Sequence, residues 1–170
     1  MNKTLFFIFL FPALVFSQER LSSLSELRSD VGKYGLDTVK CEENVSIYTE
    51  FYKQKSYDSA LEAWLYLFVN APKRTKNIYT QGATMFKFFI KNELDSLKKE
   101  GLIDDLLTIY DYRNHYYPGQ EGLVLGYKGS DLYKYRKSNL SSVKEAHTIL
   151  ENSFKIDQAK SSARALNYYF

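Results

Sequence analysis

Apolar residues recur every three or four positions along most of this chain, and polar residues fill the positions between them. This spacing places the apolar side chains on one face of an α-helix. The clearest case is the stripe of Leu102, Leu106 and Tyr110, from which Asp104 and Asp105 point away. No segment alternates apolar and polar residues as a half-buried β-strand does. The pattern therefore predicts an all-α fold with helices over residues 45–53, 57–70, 76–92, 96–115, 121–136 and 143–154, and from residue 158 onward.

The predicted helices end at residues that disfavour helix continuation or support a turn. Pro72 follows the second helix, Pro118 and Gly119 follow the fourth, and the pair Ser138 and Asn139 follows the fifth. Short connections of this kind join neighbouring helices that run in opposite directions. We therefore expect an antiparallel stack of helices.

Residues 47–72, IYTEFYKQKSYDSALEAWLYLFVNAP, follow the spacing of a known helical motif. They resemble one helix-turn-helix unit of the tetratricopeptide repeat (TPR) family, with the signature positions occupied by Ile47, Tyr48, Phe51, Tyr57, Ala60, Trp64 and Pro72. Tyr48 departs from the family pattern, which has glycine or another small residue there. The bulky ring predicts an atypical first repeat, as is common at the ends of such arrays.

Two further units continue the resemblance. The second carries its signature at Ile78, Gly82, Met85, Leu106, Tyr110 and Pro118. Measured against the family period of about 34 residues, it contains an insertion of about twelve residues near 92–99, between its two helices. The third is weaker, lacks a closing proline, and has its signature at Leu125, Gly129, Leu132, Ala146 and Leu150. The resemblance implies a short TPR-like α-solenoid, with antiparallel helix-turn-helix units at about 44–74, 75–119 and 121–157 and the start of a fourth at 158–170.

The N-terminus predicts an exported protein. Lys3 precedes an apolar run over residues 5–16, and the small residue Ser17 follows that run. This is the pattern of a secretory signal peptide over residues 1–17, with Gln18 as the mature N-terminus. The alternative is an uncleaved membrane anchor, although the run is shorter than the stretch of about 18 residues that normally spans a bilayer.

Residues 18–43 are rich in serine and charge and are interrupted by Gly32 and Gly35. We expect them to form a loosely ordered lead-in to a helical repeat domain over 44–170. No cysteine comes directly after the predicted cleavage site, so we expect a periplasmic or outer-membrane-associated protein without a lipid anchor and without a transmembrane span after cleavage. The phrase FYKQKSYDSA also resembles secreted TPR proteins of Bacteroidota-type bacteria.

Composition narrows the classes of function. The formal net charge of +3 is too small to predict nucleic-acid binding without a concentrated basic patch. One cysteine, Cys41, and two histidines, His115 and His147, do not make a zinc-binding set, and we expect no metal and no cofactor. No serine lies in a nucleophile elbow, and GYKGSD lacks the Lys-Ser/Thr of a phosphate loop. We therefore expect a protein that is not an enzyme.

The chain ends in ARALNYYF, with three large aromatic residues and nothing polar after them. Solenoids generally need a terminal element with a polar outer face. We favour the interpretation that this polypeptide is the front part of a longer array, because Ala163 and Ala165 resemble the opening of a fourth unit. The alternative is that the last helix docks against a partner or a second copy of the chain.

These features favour a protein-protein interaction scaffold that binds a peptide or protein in the groove of the repeats. When the three units are superposed, an aromatic residue is followed by a lysine in each first helix, at Tyr52, Lys53, Phe86, Lys87, Tyr133 and Lys134. The resemblance implies that these positions face the concave groove. Ammonium groups beside aromatic rings suit an acidic peptide or a C-terminal carboxylate. The alternative is that the rings pack inside and the lysines are solvated.

A second hypothesis is a glycan-binding module of an outer-membrane uptake system. Secreted helical-repeat proteins of the starch-utilisation D type bind oligosaccharides on aromatic platforms, and this chain contains 15 tyrosines. Most tyrosines of a repeat protein pack between helices, because the ring buries a large apolar area while its hydroxyl reaches solvent. The missing lipid-anchor cysteine further disfavours this hypothesis.

The signal-peptide prediction has a direct test. We expect N-terminal sequencing of the exported protein to begin at Gln18, because Ser17 is a suitable residue before a cleavage site. Recovery of the intact Met1 terminus in the membrane fraction would instead support the uncleaved anchor.

Overall fold

The computed structural model describes Leu21, residues 31–158 and residues 161–169. Regular structure within these residues is helical, which confirms the predicted all-α fold. The helices with described bounds are α1 (Thr38–Lys53), α2 (Tyr57–Asn70), α3 (Asn77–Asn92), α4 (Ser96–Tyr116), α5 (Glu121–Arg136), α6 (Leu140–Asp157) and α7 (Ala163–Tyr169). The predicted signal peptide, the predicted N-terminus at Gln18 and residues 19–20 and 22–30 of the predicted lead-in lie outside the described residues.

Most helix boundaries lie close to those expected from the sequence, and α2 and α5 match at both ends. The clearest difference is α1, which begins at Thr38 rather than at residue 45. The side chain of Asp37 accepts a hydrogen bond of 2.9 Å from the backbone N–H of Lys40. This cap satisfies one of the unpaired donors of the first turn and starts the helix early. Residues 38–43, which we expected in the lead-in, are therefore helical.

The insertion predicted near 92–99 does not form a long connection. Only residues 93–95 separate α3 from α4, and α4 is the longest described helix, with 21 residues. Asp95 caps α4 by accepting a hydrogen bond of 2.9 Å from the Lys98 backbone N–H. The extra residues therefore lengthen the helix, because this cap and the following apolar stripe both favour helical structure.

Consecutive helices pack against one another. The most extensive contacts are within the pairs α1–α2, α3–α4 and α5–α6, whereas α2–α3 and α4–α5 join one pair to the next. The connections are short, so the turns after α1, α3 and α5 lie at one end of the stack. Two contacts support this arrangement: the rings of Tyr57 and Phe88 lie 5.1 Å apart, and Arg136 Nε lies 2.7 Å from Glu100 Oε2.

The first two pairs are joined by an aromatic core around Trp64 of α2. Trp64 is fully buried, and its ring centroid lies 5.1 Å from that of Phe68 and 5.4 Å from that of Phe86. Its indole Nε1–H donates a hydrogen bond of 2.7 Å to the backbone oxygen of Ile78. Gly82 of α3 leaves room for the ring, since an added Cβ there would lie 2.6 Å from the Trp64 Cζ2 atom.

Small residues let α5 and α6 approach closely. An added Cβ at Gly129 would lie 2.7 Å from Leu150 Cγ and 3.1 Å from the backbone oxygen of Ala146. Further along the same two helices, the Ser153 hydroxyl of α6 donates a hydrogen bond of 2.7 Å to the backbone oxygen of Gly122 of α5. Three of the five residues predicted as the third signature, Gly129, Ala146 and Leu150, therefore meet between these two helices.

Most of the residues that carry the TPR resemblance are buried. Tyr48, which departs from the family pattern, is 1% exposed and belongs to the core. Ile47 is different, because 46% of its surface is exposed to solvent. The remaining buried signature residues are Ala60, Trp64, Pro72, Ile78, Gly82, Met85, Leu106, Tyr110, Gly129, Leu132, Ala146 and Leu150, whereas Phe51, Tyr57 and Leu125 are half-buried and Pro118 is exposed.

The aromatic residues of α7 pack on the chain itself. α7 contacts both α5 and α6. The ring of Tyr168 lies 5.5 Å from that of Tyr133, and the ring of Tyr169 lies 5.9 Å from that of Phe154. Ala165 is buried against Gly126, where an added Cβ would be only 3.0 Å from the alanine methyl carbon.

Replacing Gly82 by alanine tests the close approach of α3 to Trp64. Alanine normally favours a helix over glycine, but here its methyl group would overlap the buried indole ring. We expect Gly82→Ala to lower the free energy of unfolding by roughly 1–3 kcal/mol, as measured by urea denaturation.

Gly101 of α4 provides the matched control, since no atom lies within 4 Å of a Cβ added there. We expect Gly101→Ala to raise the free energy of unfolding by roughly 0.5–1 kcal/mol through helix propensity alone. A stabilising effect of Gly82→Ala would contradict the described packing of Trp64.

Candidate functional site

A groove lies where the end of α3, the start of α4 and the end of α5 meet. Its cavity volume is about 490 Å³. Four lysines line it, together with the apolar side chains of two isoleucines and the rings of one phenylalanine and one tyrosine. We call this the α3–α4–α5 groove; its lining residues are Lys87, Phe88, Ile90, Lys91, Lys99, Glu100, Ile103, Lys134 and Tyr135.

Helix geometry brings the four lysines together. Lys87 and Lys91 are four residues apart on α3 and so lie on the same helix face. The short turn over 93–95 folds α4 back, which places Lys99 beside them. Lys134 comes from the last turn of the neighbouring α5, where its Nζ lies 5.0 Å from the centre of the Tyr135 ring.

The positive charge of this groove is only partly balanced by the protein. Glu100 is the one carboxylate among the lining residues, and it accepts a hydrogen bond of 2.7 Å from Arg136 Nε. Within the described part of the chain, no carboxylate lies at ion-pair distance from Lys91, Lys99 or Lys134. These ammonium groups are available to an anionic ligand, at the edge of a floor formed by isoleucine side chains.

Lys87 differs from the other three lysines because it pairs with a buried carboxylate. Its Nζ lies 2.9 Å from Oδ2 of Asp131, whose side chain is only 1% exposed. The same oxygen accepts a hydrogen bond of 2.6 Å from the hydroxyl of Tyr110, and Oδ1 accepts one from the guanidinium of Arg164. We call these four residues the Asp131 cluster. It joins α3, α4, α5 and α7 behind the wall of the groove.

Burial perturbs the titration of this cluster. Desolvation lowers the pKa of Lys87, and the negative charge of Asp131 opposes part of that shift. Desolvation also raises the pKa of Tyr110, and there the carboxylate acts in the same direction, because ionised tyrosine would place a second negative charge beside it.

The six residues predicted to face the concave groove, three aromatic–lysine pairs, do not all lie together in the structure. Lys87 and Lys134 both line the α3–α4–α5 groove, but Lys53 is exposed and does not belong to its lining. Each of the three aromatic residues packs against a neighbouring ring; Phe86 is buried, and Tyr52 and Tyr133 are half-buried. Phe86 packs on Trp64, Tyr52 on Tyr57, and Tyr133 on Tyr168.

Sequence reasoning missed Lys91, Lys99, Asp131 and Arg164. Lys91 had a detectable signal, since it lies one helical turn after Lys87. Lys99 lies in the helix predicted over residues 96–115, but no feature of the sequence indicated that this helix places it beside Lys87 and Lys91. Asp131 and Arg164 carried no local signal, because their pairing depends on how distant helices pack.

The cysteine and one of the two histidines pack against the rest of the protein. Cys41 is a buried free thiol whose pKa is raised by burial, and His147 stacks on Tyr169 with ring centroids 5.0 Å apart. Among residues 31–158 and 161–169, together with Leu21, there is no group of three His, Cys, Asp or Glu side chains placed to hold a metal ion. No helix in that part of the chain has the length and apolar character needed to cross a bilayer.

Comparison of the chain with protein-family models, with curated proteins and with solved structures gives no match.

Alkaline pH tests the buried hydroxyl of Tyr110. The pKa of Tyr110 is raised in the folded state. The stability that its protonated hydroxyl contributes is therefore fully present below the unfolded tyrosine pKa of about 10 and is lost as the pH rises above it. We expect Tyr110→Phe to lower stability at pH 7, since a hydrogen bond to a charged group is lost, and to make the decline above about pH 10 shallower. Urea denaturation between pH 7 and pH 11 measures both effects.

Tyr34→Phe is the matched control, because Tyr34 is 38% exposed and lies far from the buried cluster in the sequence. We expect its stability curve to follow that of the wild type. An equally steep alkaline decline in Tyr110→Phe would show that the Tyr110 hydroxyl is not held protonated by the fold.

Proposed function

We propose that this chain is a non-enzymatic binding protein that holds an acidic segment of a protein partner in the α3–α4–α5 groove. The observation that carries the proposal is the convergence of Lys87, Lys91, Lys99 and Lys134 around an apolar floor, with Glu100 as the sole lining carboxylate among the described residues. We propose that the pairs α1–α2, α3–α4 and α5–α6 are TPR-like units. The groove then lies between both helices of the second unit and the first helix of the third.

The chemistry of the groove suits carboxylates presented on a flexible segment. Each lysine offers three donors at the end of a long stem, so neighbouring ammonium groups can follow carboxylates whose positions vary along a peptide. Hydrogen bonds between ammonium and carboxylate groups are shorter and stronger than those between neutral groups. The ring of Phe88, which is 41% exposed, offers apolar contact to the stems of the peptide's side chains, and the buried Ile90 and Ile103 lie beneath the groove.

Acidic side chains and a C-terminal carboxylate share this chemistry, and both would be recognised by the groove. We propose that the encounter takes place outside the cytoplasm, in the periplasm or at the outer membrane, on the basis of the signal-like residues 1–17.

Neutralising the groove lysines tests the proposal. We expect the triple variant Lys91→Gln, Lys99→Gln and Lys134→Gln to weaken binding of a fluorescein-labelled oligoglutamate peptide by roughly tenfold or more, as measured by fluorescence anisotropy at low salt. Lys87 is left unchanged, because its removal would leave the buried carboxylate of Asp131 with one charged partner fewer.

The matched control removes the same charge elsewhere, through Lys33→Gln, Lys40→Gln and Lys144→Gln at exposed positions outside the groove. We expect this control to lose less than threefold in affinity and both triple variants to keep the wild-type melting temperature. Equal losses in the two triple variants would mean that binding follows net charge alone. A labelled oligoserine peptide or an oligosaccharide that binds as well as oligoglutamate would also refute recognition of carboxylates.

A single change, Lys53→Gln, decides whether the binding surface continues onto α1 as the superposed units predict. Lys53 is exposed and lies outside the groove lining. A loss of affinity similar to that of Lys134→Gln would extend the surface to the first unit, and an unchanged affinity would confine it to α3, α4 and α5.

A further inference from the structure

The C-terminal helix is linked to the α3–α4–α5 groove through one buried carboxylate. Arg164 of α7 donates to Oδ1 of Asp131, and Lys87 of the groove wall contacts Oδ2 at 2.9 Å. The carboxylate is 1% exposed, whereas the Arg164 and Lys87 side chains are 32% and 31% exposed. A buried charge that is poorly solvated by water interacts strongly with each of its partners.

We propose that Arg164 is a positioning residue for ligand binding: by pairing with Asp131, it leaves the positive charge of Lys87 available to an anion in the groove. This inference rests on the proposed function. It makes α7 part of the binding apparatus, although α7 contributes no lining residue to the groove.

The sign of the effect follows from the charges in the Asp131 cluster. Two cations, Lys87 and Arg164, share one carboxylate, so the three groups carry a net charge of +1 beside the groove. Without Arg164, Lys87 and Asp131 form a neutral pair. The negative charge of Asp131 then cancels the attraction of Lys87 for an anionic ligand, because no second cation offsets that charge. Tyr110 adds a hydrogen bond but no charge while its hydroxyl is protonated.

Packing holds α7 in place by contacts that do not depend on the Arg164 charge. Ala165 is buried against Gly126, and the ring of Tyr168 lies 5.5 Å from that of Tyr133. The Arg164 guanidinium also lies 5.9 Å from the centre of the Tyr127 ring. A neutral residue at position 164 should therefore alter the electrostatics of the groove while α7 stays docked.

The test measures binding of the labelled oligoglutamate peptide to the full mature chain at pH 6, where lysine is protonated. We expect Arg164→Gln to weaken binding roughly fivefold or more, the lower range of measured couplings between sites. Lys144→Gln removes the same unit of charge from an exposed position on α6 and is expected to change affinity less than twofold. Arg164→Lys, which keeps the charge, should retain most of the affinity.

A double variant separates an electrostatic role from a structural one. In Arg164→Gln with Asp131→Asn, both the carboxylate and its second cation are removed, and Lys87 again contributes +1 beside the groove. We expect this pair of changes to restore affinity to within about twofold of the wild type, because the local charge beside the groove is again +1. Such a non-additive effect of the two substitutions would show that positions 131 and 164 are coupled. Continued weak binding by the folded double variant would mean that Arg164 acts by holding α7, which overturns the inference.

The remaining outcomes are also decisive. If the wild type binds the peptide and Arg164→Gln binds equally well, the inference fails while the proposed function stands. If the wild type does not bind the peptide, both fail. Asn at position 131 offers fewer acceptors to three donors, so the double variant is first checked by thermal melting. Should it fail to fold, the comparison of Arg164→Gln with Arg164→Lys decides: equal affinities of these two variants would overturn the inference.

Discussion

The buried carboxylate of Asp131 is the constraint on which the second half of this structure depends. A charge removed from water is tolerated only when charged or hydrogen-bonding partners surround it. Asp131 finds them on three other helices, in Lys87 of α3, Tyr110 of α4 and Arg164 of α7. Displacing any of these helices would remove at least one of the partners that compensate this buried charge. We expect the cluster to favour one relative arrangement of the four helices.

The first half of the molecule is organised by shape. Trp64 fills the space between α2 and α3, and its indole N–H reaches a backbone carbonyl at the start of α3. This arrangement requires a residue without a side chain at position 82, because the ring occupies the place of a Cβ atom. Close packing of this kind transmits displacement of one helix to the next. The two halves therefore share α3, which carries both Gly82 and Lys87.

The same arrangement explains why the groove is basic in a chain with a small net charge. Several cations are matched inside the protein, such as Arg136 by Glu100 and Asp104. Among the described residues, by contrast, no carboxylate lies at ion-pair distance from Lys91, Lys99 or Lys134, and these three lysines line the groove together with Lys87. A local excess of positive charge attracts an anionic ligand, even where the net charge of the whole chain is too small to predict such binding.

The sequence by itself determined the helices, since apolar periodicity, prolines and capping residues act over a few neighbouring positions. It also singled out Gly82 and Gly129 as signature positions, at which the structure shows close packing, and included Lys87 and Lys134 among the candidate binding residues. Only the tertiary structure decided which charges meet. Tyr110 and Arg164 lie 21 and 33 residues from Asp131, and helical periodicity carries no information about such distant pairs. Likewise, Lys99 joins the groove because the short turn over residues 93–95 folds α4 back against α3, and the packing of two helices is not encoded in the periodicity of either one.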